Sequence, residues 1–379
     1  MKAFYQDFTL GVIGGGQLGR MLLQPCASFD VKVAALDPDA NAPCSKLAAT
    51  FQQGSLQDFD TVYQFGKQAD LITIEIENVN VEALYRLEEE GIPVFPQPNV
   101  IELIQDKRVQ KQFYRDNNIP TADFVLVDSR SDIEAHADFL PAFNKLGKGG
   151  YDGGGVQKLA SLDDLSKAFD APGLLESFID FDREISVIVA RNSKGDVVSY
   201  PAVECVFHPE YNLVDYLLSP SNLDASILEQ ADNIARQVIE ALGMVGLLAV
   251  EMFVTKDRQV LVNEIAPRPH NSGHQSIEAN VTSQYEQHLR SILNLPLGDT
   301  SILSPSAMVN LLGEEGYTGV AIYEGLNQLL AIDGVKLTLY GKKLTKPHRK
   351  MGHITILGQD RVDLVRKVEE VKQTIKVIA

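Results

Sequence analysis

The segment from Asn263 to His274 reads NEIAPRPHNSGH and concentrates polar side chains around two prolines and a glycine. Polar groups on a rigid, irregular segment suit neither a core strand nor an ordinary surface loop, and they indicate a site that binds an anion. His270 and His274 have the i, i+4 spacing of zinc ligands on a helix, but Gly273 and the lack of a third nearby ligand make zinc the weaker interpretation.

Glu251 and Glu264 lie in two strand-like stretches separated by Lys256 to Gln259. If those four residues form the connecting loop, the two glutamates are directly opposed, with Cβ atoms about 5 Å apart. Like charges repel at that distance, and a magnesium ion shared with phosphate oxygens would remove the repulsion. A register different by one residue would instead send one glutamate to solvent, and the sequence leaves both registers open.

Two glycine-rich segments could bind phosphate through backbone amides. The loop from Gly147 to Gly155 surrounds Lys148, Tyr151 and Asp152 with glycines and is not a Walker A motif. The alternative for this loop is a surface hairpin without a ligand.

The second segment, from Gly14 to Gly19, follows a strand pattern and opens a helix. With Asp37 at the end of the next strand, it matches the dinucleotide-binding fingerprint. Such a turn offers helix amides to any phosphate or carboxylate, and nothing later in the chain supplies hydride transfer. A nicotinamide-dependent oxidoreductase or redox sensor is therefore a remote alternative.

A basic cluster near the C-terminus stands out in an otherwise acidic chain. It comprises Lys342, Lys343, Lys346, His348, Arg349 and Lys350. Local positive charge would attract a small phosphorylated substrate. A solvated basic hairpin without a ligand is an equally consistent interpretation.

The elements that must position these residues change character along the chain. Residues 1–105 alternate strand and helix patterns, which predicts a doubly wound parallel sheet. Residues 106–184 begin with a helix and fit a small α+β unit that carries the glycine-rich loop. Residues 185–379 contain alternating stretches such as EISVIVA, LLAVEMFV and QVLVNEI, which predict an antiparallel sheet.

Charge and composition exclude some classes of partner. The 379 residues include 34 Lys and Arg against 51 Asp and Glu, a net charge of −17, which disfavours nucleic acid and acidic membrane surfaces. No long uncharged apolar stretch occurs, so neither a signal peptide nor a membrane span is expected, and we expect a cytoplasmic protein. Cys26, Cys44 and Cys205 are predicted to be buried free thiols.

In this order, GGGQLGRM, GGYDG, NEIAPRPHNSGH and RKMGH resemble motifs of ATP-grasp enzymes, and within them of the 5-(carboxyamino)imidazole ribonucleotide synthase family of purine biosynthesis. The similarity spans nearly the whole chain. It implies an ATP-grasp fold with a central lid domain and a C-terminal catalytic domain, and a homodimer. It also implies a ligase that carboxylates 5-aminoimidazole ribonucleotide with bicarbonate, giving ADP and phosphate through carboxyphosphate.

The resemblance also implies roles for individual residues. The ATP contacts would be Lys107, Lys145, Gly150, Tyr151, Asp152, Gly153, Gly154, Gly155, Glu176, Ser177, Phe178, Ile179, Glu184, His208, Asn263 and Glu264. The ligands of magnesium, with manganese as a possible substitute, would be Glu251 and Glu264. The ribonucleotide would contact Gln17, Leu18, Glu75, Lys342, Arg349 and Lys350. The catalytic residues around bicarbonate and the intermediate would be Arg268, His270, Asn271, Ser272, Tyr151 and Asp152.

Three positions depart from the family pattern. Gly154 stands where the family usually has Lys or Arg, which leaves Lys148 as a candidate for the positive charge of the loop. Lys107 replaces a more usual Arg, and the stretch before His208 is one residue longer than in the family. A formate-dependent glycinamide ribonucleotide transformylase shares the same plan and is the nearest alternative, although GGYDG and HNSGH favour the carboxylating enzyme.

Overall fold

The computed structural model describes residues 2–150, 154–207 and 214–379. The first part of the chain alternates strands and helices. Its elements are β1 (Thr9–Ile13), α1 (Gln17–Ser28), β2 (Lys32–Asp37), β3 (Thr50–Gln53), α2 (Phe59–Gly66), β4 (Leu71–Ile74), α3 (Val81–Glu89) and α4 (Pro98–Gln105). The four strands form a parallel sheet in the order β3-β2-β1-β4.

Both faces of this parallel sheet are buried, because neighbouring residues of β1 enter different cores. Val12 shares a core with Met21 of α1, whereas Ile13 shares another with Val62 of α2 and Leu84 of α3. The apolar alternation of LITIEIE, residues 71–77, continues beyond the strand, since β4 ends at Ile74. Consequently the two glutamates of that stretch lie beyond the strand, at the carboxyl edge of the sheet.

A small antiparallel sheet follows. The elements of this part are α5 (Lys107–Asp116), β5 (Phe124–Val127), α6 (Arg130–Ala135), β6 (Ala142–Leu146), β7 (Val156–Leu159) and β8 (Gly173–Ser177). The strand order is β5-β8-β6-β7. Val127, Ile133, Ala142, Leu159 and Leu175 form its core, and the glycine-rich loop connects β6 to β7.

The rest of the chain builds one nine-stranded sheet with helices on it. Its elements begin with β9 (Phe181–Arg191), β10 (Val197–Ser199), β11 (Val203–Phe207), β12 (Val214–Ser219), α7 (Ala225–Ala241), β13 (Gly246–Thr255), β14 (Val260–Ala266), α8 (Ser276–Ala279), α9 (Gln284–Ile292) and β15 (Ser306–Leu312). They continue with β16 (Gly319–Val320), β17 (Ile322–Glu324), α10 (Leu326–Leu329), β18 (Val335–Leu339), β19 (Leu344–Thr345), β20 (Lys350–Leu357), α11 (Arg361–Thr374) and β21 (Lys376–Ile378). The large sheet runs β14-β13-β9-β11-β12-β15-β20-β18, with β10 paired to β9, while β16 pairs with β19 and β17 with β21.

The predicted fold class is confirmed, with a parallel sheet first and antiparallel sheets later. α7 packs its apolar side on β9, β13 and β14, and α11 packs on β15 and β20 at the other end of the large sheet. Cys26, Cys44 and Cys205 are buried free thiols, as predicted. In the part of the chain that the structure describes, no helix has both the length and the apolar character needed to cross a membrane.

Candidate functional site

Glu251 on β13 and Glu264 on β14 lie directly opposite each other in an antiparallel hairpin. The predicted pairing is confirmed, but the structure reaches it by another route. Near the turn, Met252 pairs with Val262, a register that would place Glu251 opposite Asn263. A bulge at Asn263 shifts the register by one residue and brings Glu264 into position. The bulge therefore places both carboxylates on one face of the sheet.

Glu184 of β9 joins this pair, because Ser186 pairs with Glu251 and Glu184 follows the same sheet face two residues away. Burial, followed by the charges of Glu251 and Glu264, raises the pKa of Glu184 to about 8. Burial and then Glu264 raise the pKa of Glu251 to about 7, while the positive charge of Lys350 opposes that rise. Three carboxylates thus share a region in which a bound cation is favoured.

The raised pKa values of Glu184 and Glu251 predict how the stability of the metal-free protein depends on pH. Each carboxyl binds its proton more tightly in the folded state, with pKa values of about 8 and about 7, than in the unfolded chain, where the value is 4.5. Their contribution to the free energy of unfolding is therefore complete below about pH 4.5 and is lost as the pH rises towards 8.

Urea unfolding from pH 6.5 to 8.5 without metal measures this effect, with Glu184→Gln as the comparison. Wild type should lose stability relative to the variant across that range. Parallel curves would contradict the assignment. The range begins at pH 6.5 because four buried histidines with depressed pKa values act in the opposite sense below about that pH. They are His270, His274, His288 and His353.

His270 and Ser272 connect the anion-binding segment to the carboxylates. The backbone N–H of Ser272 donates to Nδ1 of His270 at 3.3 Å, and the Ser272 hydroxyl lies 2.7 Å from the hydroxyl of Ser186. An accepting Nδ1 places the ring proton on Nε2, which lies 3.6 Å from Oε1 of Glu251. Burial, with the positive charge of Arg268, lowers the pKa of His270 to about 3, so the ring is neutral near pH 7.

Arg268 is held between Pro267 and Pro269, and its Nε lies 2.9 Å from Oε1 of Glu77. Its Nη1 donates to the carbonyl oxygen of Pro269 at 3.1 Å. Asn271 begins a single 3-10 turn, Asn271–Gly273. The structure thus brings Arg268, His270 and Ser272 to the face that carries the carboxylates.

His274 does not belong to this group, and the zinc interpretation is wrong. Its ring is buried, with Nδ1 at 3.1 Å from Nε2 of Gln284 and at 3.2 Å from the hydroxyl of Tyr285. It packs on His353 with ring centroids 4.7 Å apart. Because Asn271–Gly273 is a 3-10 turn, His270 and His274 do not share one α-helical face.

A cleft between the central sheet and the hairpin gathers several predicted ATP contacts. Nζ of Lys145 lies 2.9 Å from Oε2 of Glu176, and Nζ of Lys107 lies 3.5 Å from Oε1 of Glu264. The residues that line the cleft are Lys107, Gln110, Lys111, Lys145, Leu174, Glu176, Asn263 and Glu264. Glu264 therefore borders the same cleft as the lysines.

Lys111 is a cleft residue that the motifs did not indicate. Its side chain is almost fully buried, Nζ lies 3.4 Å from Oε2 of Glu176, and it donates a hydrogen bond to the hydroxyl of Thr121. Burial lowers its pKa to about 8, against the raising effect of Glu176. The alternation of polar residues in α5 was the available signal, but it does not distinguish a buried lysine from an exposed one.

The other predicted ATP contacts are more dispersed. Ser177, Phe178 and Ile179 follow Glu176 at the end of β8, and the ring of Phe178 is half exposed. Gly150 and Gly155 adopt φ values of 80° and 130° at the base of the glycine-rich loop, where Gly154 is exposed. Tyr151, Asp152, Gly153 and His208 lie outside the described residues.

Carboxylates of the protein itself occupy the first glycine turn. The amides of Gly16 and Gly19 donate to Glu75 at 2.7 Å and 2.6 Å, and the amide of Gly15 donates to Asp37 at 2.7 Å. A Cβ on Gly16 would lie 2.2 Å from Oε1 of Glu75, so the glycine admits this side chain. The helix amides that would bind a pyrophosphate are already paired, which argues against nicotinamide binding here.

The basic C-terminal segment lies against this N-terminal turn. Nζ of Lys343 donates to Oδ1 of Asn41 at 3.1 Å, and a Cβ on Gly341 would lie 2.6 Å from Nη1 of Arg20. Nζ of Lys342 donates to the carbonyl of Lys350 at 2.8 Å. Arg20, in the turn of α1 that also carries Gln17 and Leu18, is a further positive group that the sequence interpretation did not single out.

The side chains of Arg349 and Lys350 lie in different surroundings. Nη1 of Arg349 donates to the carbonyl of Leu344 at 2.7 Å, within the basic segment. Lys350 begins β20 opposite Leu312 of β15, and its positive charge opposes the rise that burial and Glu264 cause in the pKa of Glu251.

Comparisons with known proteins match this arrangement over most of the chain. Residues 8–105 match the ribonucleotide synthetase preATP-grasp domain, residues 112–285 match the ATP-grasp domain, and residues 306–367 match the phosphoribosylaminoimidazole carboxylase C-terminal domain. The N5-carboxyaminoimidazole ribonucleotide synthase of Bacillus subtilis is 35% identical over 374 residues, which cover 97% of this chain and 96% of that protein. The chain belongs to the N5-carboxyaminoimidazole ribonucleotide synthase family.

Solved structures agree with this membership. The N5-carboxyaminoimidazole ribonucleotide synthetase of Thermotoga maritima has 41% identity and a TM-score of 0.90, with 98% of this chain and 99% of that chain covered. The Aspergillus clavatus synthase in complex with ADP and 5-aminoimidazole ribonucleotide has 30% identity and a TM-score of 0.88, with 98% of this chain and 99% of that chain covered.

A longer relative is also similar in sequence. A chloroplastic phosphoribosylaminoimidazole carboxylase of Vigna aconitifolia is 37% identical, and the chain spans 64% of its length.

Membership in the synthase family confirms the predicted ATP-grasp ligase and its use of ATP. Each of the three matched domains contributes to the site. The preATP-grasp domain carries Glu75 and Glu77, the ATP-grasp domain carries the carboxylates and Arg268, and the C-terminal domain carries Lys350.

Proposed function

We propose that the chain catalyses the ATP-dependent carboxylation of 5-aminoimidazole ribonucleotide by bicarbonate, giving N5-carboxyaminoimidazole ribonucleotide, ADP and phosphate in purine biosynthesis. The family membership and the ribonucleotide in the Aspergillus structure support this choice of substrates. The observation that carries it is the position of Glu251, which pairs with Glu264 beside the lysine cleft and lies 3.6 Å from the ring of His270. ATP and a small carboxylate can therefore meet at one point.

In the first step, an oxygen of bicarbonate attacks the γ-phosphorus of ATP. The bond from that phosphorus to the bridging β,γ-oxygen breaks, and ADP leaves with the electron pair. The product is carboxyphosphate. Phosphoryl transfer depends on alignment and on neutralisation of charge. We assign alignment of ATP to Lys107, Lys145 and Glu176, and alignment of bicarbonate to Arg268 and Ser272.

A divalent cation fits the carboxylate pair. Glu251 and Glu264 would hold Mg²⁺, or Mn²⁺, because their oxygens are hard ligands and because burial, followed by the charge of Glu264, raises the pKa of Glu251. Within residues 2–150, 154–207 and 214–379, no group of three or more His, Cys, Asp or Glu is arranged to hold a metal alone. The remaining ligands would thus come from phosphate oxygens. The cation supplies neutralisation of the negative charge on the phosphates.

In the second step, the exocyclic amine of 5-aminoimidazole ribonucleotide attacks the carboxyl carbon of carboxyphosphate, or carbon dioxide released from it. The bond from carbon to the phosphate oxygen breaks, phosphate leaves, and the nitrogen loses a proton. Neutral His270 holds its Nε2–H near the reacting carboxyl without adding charge.

We assign the ribonucleotide phosphate to Lys342, Arg349 and Lys350. Gln17, Leu18 and Glu75 would contact the rest of the nucleotide. Tyr151 and Asp152 of the glycine-rich loop are proposed to cover this intermediate, which water would hydrolyse.

Phosphate release from ATP tests the proposed function. Release should require both bicarbonate and 5-aminoimidazole ribonucleotide, and formate should not replace bicarbonate. A rate that follows formate and glycinamide ribonucleotide would instead identify the transformylase of the same fold. Oxidation of NADH, read at 340 nm, would identify the nicotinamide alternative.

We also propose a homodimer, as the family resemblance implies. We place the contact between the two copies at β16 and β19, where Val320 pairs with Leu344 and these apolar side chains are 70% and 55% exposed. Sedimentation equilibrium of the purified chain measures the assembly directly.

A further inference from the structure

Glu77 is a buried carboxylate that none of the roles above uses. Its exposed fraction is 8%, and it lies just after β4 at the carboxyl edge of the parallel sheet. The nearest charged partner is Arg268, with Oε1 2.9 Å from Nε of the guanidinium. The pair joins the N-terminal sheet to the segment proposed to bind bicarbonate.

The backbone on both sides of this ion pair is fixed. Nε2 of Gln105, at the end of α4, donates to the carbonyl oxygens of Glu77 and Val79 at 2.7 Å and 2.9 Å. On the other side, Arg268 lies between two prolines, which restrict its backbone. Since neither partner is on a free loop, the backbone on both sides holds the Glu77 carboxylate close to the guanidinium.

We infer that Glu77 is a positioning residue, which orients Arg268 so that the guanidinium presents its Nη2 to bicarbonate and then to carboxyphosphate. Oε1 of Glu77 lies 2.9 Å from Nε without accepting a hydrogen bond from it, and Nη1 donates to the carbonyl of Pro269. The guanidinium is therefore held by charge at one edge and by a hydrogen bond at one nitrogen. Because the guanidinium is planar, these two constraints also limit the directions in which Nη2 can point. This inference rests on the proposed function of Arg268.

The same short segment also carries Glu75, whose carboxylate accepts the amides of Gly16 and Gly19. One stretch of three residues therefore holds the first glycine turn with one glutamate and Arg268 with the next. This segment connects the first glycine turn, which we propose contacts the ribonucleotide, to Arg268, which we propose binds bicarbonate. The N-terminal sheet therefore places the two substrates relative to each other.

Steady-state kinetics of Glu77→Gln test the inference. A guanidinium displaced by about 1 Å can lower turnover by about 100-fold. We expect bicarbonate-dependent kcat/KM to fall by about 10- to 100-fold, with KM for ATP changed by less than about twofold. Glu77→Asp retains the charge and should recover part of the loss. Glu102→Gln, an exposed residue that accepts from the hydroxyl of Tyr85, is the matched control and should behave as wild type.

A second background separates positioning from a general structural role. If Glu77 acts through Arg268, then Glu77→Gln should have little further effect in the Arg268→Lys variant, because the orientation of the guanidinium has already been lost. The inference would be overturned by the same fold-decrease in kcat/KM in both backgrounds. Equal increases in KM for ATP and for bicarbonate would also overturn it.

A crystal structure of Glu77→Gln gives a readout that does not depend on activity. The guanidinium of Arg268 should leave its present position while the backbone from Pro267 to Pro269 stays in place. An unmoved guanidinium overturns the positioning role whatever the reaction is. A moved guanidinium in a protein whose wild type releases no phosphate with bicarbonate would contradict the proposed function alone.

Discussion

Replacing Arg268 with alanine is expected to lower bicarbonate-dependent phosphate release by about 100- to 1,000-fold, the range seen when one group that stabilises a developing oxyanion is removed. Arg268 is proposed to bind the bicarbonate that receives the phosphoryl group. ATP is instead proposed to contact Lys107 and Lys145 in the cleft. The dissociation constant of ADP, measured by calorimetry, should therefore change by less than about threefold.

The matched control for Arg268 is Arg366→Ala. Arg366 lies on the exposed side of α11 and pairs with Asp363 and Glu370. It should retain wild-type turnover. Equal loss of ADP binding and of turnover in Arg268→Ala would contradict the proposed division between the ATP cleft and the bicarbonate segment.

Replacing Glu264 with glutamine should raise the Mg²⁺ concentration needed for half-maximal turnover by at least about 10- to 100-fold, because even outer residues of metal sites have effects of that size. The substitution keeps the shape of the side chain and removes the charge that faces Glu251. Turnover is measured over a Mg²⁺ titration at fixed ATP, and the stabilisation of the protein by Mg²⁺ and ADP is measured by thermal unfolding.

Glu240→Gln on the exposed side of α7 controls for the loss of one negative charge in Glu264→Gln. It should leave the Mg²⁺ titration unchanged. A Glu264→Gln protein with the wild-type Mg²⁺ dependence would exclude Glu264 as a ligand. Without metal, Glu264→Gln should be at least as stable as wild type, since one of the two repelling carboxylates, Glu251 and Glu264, has been removed.

Much of the architecture could be predicted because it depends on local pattern. The strand patterns of EISVIVA, LLAVEMFV and QVLVNEI correspond to β9, β13 and β14. The opposition of Glu251 and Glu264 was also predicted from the length of one loop. The bulge that produces it could not be, because a bulge at Asn263 depends on how β14 is held by the rest of the sheet.

The residues that the sequence did not reveal depend on contacts between distant segments. Glu77 becomes informative only through Arg268, and Lys111 only through Glu176. His274 belongs by sequence to the polar run, yet it packs on His353, almost eighty residues later. No local pattern carries that pairing.

The first glycine turn shows why a motif alone is insufficient. Its sequence fits a dinucleotide site, with Asp37 at the expected place. In the structure, Asp37 and Glu75 accept the amides of the turn themselves. The glycines are needed there because a Cβ at Gly16 would collide with Glu75, and not because a pyrophosphate must approach.

Isotope transfer from bicarbonate tests the central claim, that the ATP cleft and the Arg268 segment meet at one phosphoryl acceptor. The enzyme is supplied with ATP, 5-aminoimidazole ribonucleotide and ¹⁸O-labelled bicarbonate, and the phosphate is analysed by mass spectrometry before the label exchanges with water. Because a bicarbonate oxygen attacks the γ-phosphorus and remains bound to it, we expect one ¹⁸O atom in each phosphate released. Phosphate without label, formed at the same rate, would contradict the account.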